Sequence, residues 1–179
     1  MIKFIKHFLL LFSLLIAQIA VVPALPGNFK NLNVILISLV FICIVYRFYL
    51  GVSYALILGF VLELYSALPF GAMILSLMLT LYVIYKIFQH LLTNKSFYTL
   101  AGLSILATVI YNGFIYVYLV ALYFNQTKDL QLIKQLSVLS GVNILWQLLF
   151  NIIFVTILFI FFHVSSTRFK AVFVDTVKR

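Results

Sequence analysis

Six apolar stretches, parted only by short polar or proline- and glycine-containing breaks, fill this chain from end to end. A stretch of about 20 apolar residues is what a helix needs to cross the roughly 30 Å hydrocarbon core of a bilayer. Six such helices use up nearly all of the 179 residues, which leaves no room for a folded soluble domain. The composition points the same way. At 66% hydrophobic and 8% charged, with a mean hydropathy of +1.25, the chain lies far from the half-apolar, quarter-charged norm of soluble proteins. The expected fold is therefore all-α: a single integral membrane domain over 1–179, built as a bundle of six transmembrane helices.

The breaks set the boundaries. The first span covers about 8–25 and stops at Pro23-Ala24-Leu25-Pro26-Gly27, where missing amides and a permissive glycine end the helix. The second, about 32–46, is short unless Arg47 snorkels to the interface. The third, about 50–68, turns at Pro69-Phe70-Gly71 into the fourth, about 72–88. The fifth covers about 97–123 and the sixth about 139–162. Leu130, Ile133 and Leu136, near the helical period in the loop before the sixth span, suit a helix along the surface or an early start to that span. With a cytoplasmic amino terminus, nine Lys and Arg fall inside (Lys3, Lys6, Arg47, Lys86, Lys95, Arg168, Lys170, Lys178, Arg179) and three outside (Lys30, Lys128, Lys134). That bias follows the positive-inside rule and puts both termini in the cytoplasm. A cleaved signal peptide is the competing reading of Lys3, Lys6 and Val22-Pro23-Ala24, but the apolar run is longer than a signal core and Pro26 disfavours the cut. The basic excess serves orientation and contact with membrane lipid rather than nucleic acid.

Glu63 is the only acidic residue before position 129. A carboxylate at mid-bilayer costs about 2.5–3.5 kcal/mol or more, so it persists where the bundle supplies partners or water. Every fourth residue of the third span is small up to that acid: Gly51, Ala55, Gly59, Glu63, then Ala67 and Gly71 beyond the turn. Small residues at this spacing let helices approach closely, so this face serves helix packing or a docking partner. The fifth span carries Ser104, Thr108 and Asn112 at the same interval, and the sixth Asn143, Gln147 and Asn151. Polar faces in hydrocarbon turn inward. With a rise of 1.5 Å per residue, Glu63 lies roughly 20 Å and Asn112 roughly 22 Å up from the cytoplasmic side, level with Asn143 and Gln147. An intramembrane polar cluster of Glu63, Asn112 and Asn143 or Gln147 is expected.

Other chemistry finds little support. His7, His90 and His163 sit near cytoplasmic span ends without a carboxylate or cysteine at ligand spacing, so no metal is expected. Cys43 is the only cysteine and has no partner for a disulfide. No nucleophile stands in a catalytic context and no pair of carboxylates lies in the bilayer. Neither an enzyme nor a cofactor is expected.

The segment from Gly51 to Gly71, with Gly59, Glu63 and Ser66-Ala67-Leu68-Pro69-Phe70-Gly71, resembles the central signature of the bacterial MreD family of rod shape-determining proteins. There, two glycines lead to an acid, usually Asp, and a small-residue turn closing on Pro-x-Gly. Glu63 and Ala67 depart from that pattern. The resemblance implies a non-catalytic inner-membrane subunit of the cell-elongation machinery that scaffolds or regulates lateral peptidoglycan synthesis. It would work beside the bitopic MreC and, indirectly, MreB, the polymerase RodA and a penicillin-binding transpeptidase. The alternative is the substrate-binding subunit of an energy-coupling-factor vitamin importer, which should hold about 300 Å³ or more of partly polar space open to the outside.

Overall fold

The computed structural model describes residues 2–66, 68–91, 96–126 and 130–165, and every regular element among them is helical. Helix α1 (Ile2–Ile16) continues through a π turn, Ala17–Val21, into a last α turn, Val22–Ala24. The widening sits just before Pro23, whose ring in a regular helix would strike the carbonyl four residues back. Leu25 and Pro26 are then extended, as a residue preceding proline must be. Gly27 takes φ +66° and opens a 3₁₀ turn, Gly27–Asn31. Asn33 starts the next helix: its side-chain oxygen accepts the N–H of Leu36 at 3.0 Å, filling an amide that the first turn leaves bare.

That helix, α2 (Val34–Val45), is the centre of the molecule. Eleven of its twelve residues are buried, and a helix apolar on every side belongs inside a bundle. Its rise of about 18 Å is shorter than the hydrocarbon core. It can still carry the chain from the Lys30 side to the Arg47 side, because it packs on α1 and on the four helices that follow rather than on lipid. The second apolar stretch is thus a core helix walled by protein, and a snorkelling Arg47 is not what makes its length workable.

Around it stand α3 (Phe48–Tyr65), α4 (Ala72–Leu91), α5 (Phe97–Gln126) and α6 (Leu130–Ser165). Together with His7–Ala24, these contain five stretches long and apolar enough to span a membrane. Neighbours in sequence are neighbours in space: α3 lies on α4, α4 on α5, and α5 on α6. Helix α6 begins at Leu130, so the segment before the sixth span is an early start to that helix; the side chains of Leu130, Ile133 and Leu136 lie outside the described residues. Leu58, Leu77, Leu81, Ile84 and Leu103 close over Ile35, Leu36 and Leu39 of α2. Phe60, Leu64, Leu75, Val117 and Ile157 remain on the outer surface, facing lipid. Only 6% of the α1 span is buried, against 33% for α3, so α1 leans on the bundle rather than entering it.

Lipid is as apolar as leucine, so these contacts draw on close packing and interhelical hydrogen bonds. The glycines of α3 show how. A Cβ on Gly51 would overlap the sulfur of Cys43 and lie 3.3 Å from its Cα, and one on Gly59 would lie 3.2 Å from the Cα of Ile74. The absence of a side chain lets α3 touch α2 at one level and α4 at another.

Candidate functional site

The small-residue face of α3 is turned into the bundle. Gly51, Ala55, Gly59 and Glu63 are all buried, and the close approaches just described engage this chain's own α2 and α4. Glu63 stands two residues before the end of α3 and is 6% exposed. Its Oε1 accepts the N–H groups of Met73 at 2.9 Å and Ile74 at 3.0 Å. These belong to the first turn of α4, whose amides have no partner within the helix and whose N-terminal end carries positive partial charge. The carboxylate of one helix therefore caps the next. Between them the chain turns through Gly71 at φ +95°, a conformation that favours glycine, and the Tyr118 hydroxyl donates to the Phe70 carbonyl at 2.9 Å. The other oxygen, Oε2, is buried with no hydrogen-bond partner among the described residues.

The expected four-residue cluster is divided. Asn112 donates to Oε1 of Gln147 at 2.6 Å, and Asn143 lines the same cleft. Glu63 joins none of them by a hydrogen bond. Its partners are backbone amides, because the end of α3 lies over the start of α4 and those amides are the nearest unpaired donors.

What the structure adds is a polar seam running across four elements. Gln18, on the π turn, donates to the Leu32 carbonyl at 3.3 Å and accepts from the Ile35 N–H at 3.4 Å. The Asn33 N–H donates to Asn151 Oδ1 at 3.0 Å, and Asn151 in turn donates to the Thr108 hydroxyl at 2.9 Å. One layer further along, Asn112 meets Gln147. The seam ties α1, the start of α2, α5 and α6 together at the end of the bundle that carries Lys30. Asn112, Thr108, Gln147 and Asn151 were visible in sequence as polar faces. Gln18 and Asn33 were not singled out, although a lone glutamine in an apolar run and the amide-rich break Asn28-Phe29-Lys30-Asn31-Leu32-Asn33 were the available signals.

Above this seam opens a cleft of about 260 Å³, lined by Gln18, Lys30, Asn31, Asn112, Asn143 and Gln147 among others. A larger space, about 420 Å³, lies at the opposite end between α1, α2 and α3 and is bounded mainly by apolar groups such as Leu10, Phe41 and Leu50. There the Tyr54 hydroxyl pairs with Nδ1 of His7, which ties α1 to α3.

A protein-family model described as rod shape-determining protein MreD matches residues 2–165. The chain belongs to the MreD family. No curated protein and no solved structure matches it. The family match covers all six helices, the α3–α4 turn and the polar seam. As an MreD-family member, the chain is a multi-pass inner-membrane protein of the rod-shape system that the family serves with MreB and MreC.

Proposed function

We propose that the protein is a non-catalytic subunit of the cell-elongation machinery that scaffolds or regulates lateral peptidoglycan synthesis. It binds a bitopic MreC-like protein directly, and acts on MreB, RodA and a penicillin-binding transpeptidase through it. On this reading both termini lie in the cytoplasm, the orientation that the nine-to-three distribution of basic residues favours. The observation that carries this reading is the extent of the family match, residues 2–165, which takes in the whole described bundle.

The geometry supports an adaptor. Gly51, Ala55 and Gly59 act in packing within the chain, and Glu63 influences a partner only through the Ser66–Gly71 turn that it pins. The family match over residues 2–165 does not favour a vitamin importer. Affinity capture of the tagged full-length protein from native membranes tests the proposal: the bitopic MreC-like protein should be retained in near-stoichiometric amount. Its absence from the captured complex, with the bundle intact, would contradict the assignment.

A further inference from the structure

The cleft at the Lys30 end has a chemical bias that packing alone does not require. Several of its carboxamides commit their acceptor ends to the protein and keep N–H groups over. Gln147 Oε1 accepts from Asn112, which leaves the two N–H groups of its amide nitrogen. Gln18 Oε1 accepts from the Ile35 N–H and its amide nitrogen gives one N–H to the Leu32 carbonyl, while Asn33 is spent within the protein, its Oδ1 on the Leu36 N–H and its side chain also on Tyr111. Only Asn112 does the reverse, giving its donors to Thr108 and Gln147 and leaving an oxygen. The amide nitrogen of Asn31 is buried with no hydrogen-bond partner among the described residues. A buried amide is ordinarily satisfied, and an orphan calls for an explanation. Beside it stands the exposed Lys30, the single full charge among the described residues of the lining, none of which is a carboxylate.

Unused N–H groups and one ammonium, brought to a common space by the 3₁₀ turn and α6, define a receptor for a group that carries several acceptor oxygens and negative charge. We propose that this cleft binds a phosphate-class anion, held by the ammonium of Lys30 and the free carboxamide N–H groups of Asn31 and Gln147. A tetrahedral anion presents acceptor oxygens in several directions at once, which suits donors arriving from different elements. Two sources share this chemistry: the phosphodiester of a lipid headgroup, and a free phosphate in solution. The inference concerns binding only and stands apart from the role in cell elongation.

The test uses the full chain in uncharged maltoside micelles, which contain no phosphate. One arm measures retention of radiolabelled inorganic phosphate at constant ionic strength. The other measures by native mass spectrometry how many phosphatidylglycerol molecules stay bound. Saturable binding in the first arm identifies the free anion, and binding in the second alone identifies the headgroup. In either case Lys30→Gln should weaken binding at least about tenfold, the effect of losing one charge-assisted hydrogen bond. Lys30→Arg should stay near wild type, and Lys86→Gln, on the distant α4, should have no effect. Asn31→Ala should weaken binding without lowering thermal stability, since its amide nitrogen holds no described contact. The sole tryptophan gives a positional readout, because Trp146 stacks on Phe150 at 5.8 Å and Phe150 lies 4.3 Å from Phe29, next to Lys30. Wild-type affinity in both Lys30→Gln and Asn31→Ala, or no saturable binding in either arm, would overturn the proposal.

Discussion

Replacing Glu63 by leucine and by glutamine separates the two things its carboxylate does. In Glu63→Leu, the Met73 and Ile74 N–H groups lose their acceptor. Each hydrogen bond to a charged group is worth about 1.5–3 kcal/mol net, so the gross loss is about 3–6 kcal/mol. Against this stands relief from burying a carboxylate whose Oε2 has no described partner. A mid-bilayer acid would return about 2.5–3.5 kcal/mol, but Glu63 stands two residues from the end of α3, about 3 Å along the axis, where hydrocarbon gives way to the interface. Relief of about 2 kcal/mol is the larger end of what that depth allows. Loss of the cap wins, and Glu63→Leu should cost about 2–3 kcal/mol. Glu63→Gln keeps a neutral acceptor for both amides at about 0.5–1.5 kcal/mol each and buries no charge, so it should stay within about 1 kcal/mol of wild type. Steric trapping in bicelles measures both values directly. A leucine variant as stable as wild type would refute the cap, and a glutamine variant as damaged as leucine would show that charge, not acceptor geometry, is what α4 requires.

Gly51→Ala should destabilise the bundle by about 1–3 kcal/mol, as overpacking does, because the new methyl meets the sulfur and Cα of Cys43. Combining it with Cys43→Ala should recover part of that loss in the same unfolding measurement, and strictly additive effects would show that the α2–α3 contact is not the cause. Reporter fusions after Lys95 and at the carboxyl terminus should read cytoplasmic and a fusion near Lys30 external; the opposite pattern would reverse the orientation taken from the basic residues.

The architecture was legible where lipid imposes a single demand. Pro23, Pro26 and the Pro69–Gly71 turn interrupt helices whatever surrounds them, so the helical run that begins with α1 ends at Ala24 and α4 begins at Ala72, close to where the sequence placed those limits. Hydropathy alone could not show that Val34–Val45 faces protein rather than lipid, since the same isoleucines and leucines satisfy both. The glycine spacing of α3 correctly marked a buried face. Periodicity says that such a face is covered but not by what, and here α2 and α4 cover it. Glu63 shows the same limit: depth placed it level with Asn112, yet its oxygen reaches amides made available by the start of a neighbouring helix. Side-chain stripes cannot report backbone donors. Nor does a stripe appear when one partner is a single residue, which is why Gln18 and Asn33 emerged only once the fold placed the π turn beside the start of α2, and that start beside α6.

Depletion in a rod-shaped host tests the central claim most directly. Microscopy should show elongated cells becoming round or wide as the protein is lost, with rod shape restored by wild type and by Glu63→Gln. Cells that keep normal width and length after depletion, or that show only a defect in taking up one vitamin, would contradict a role in cell elongation.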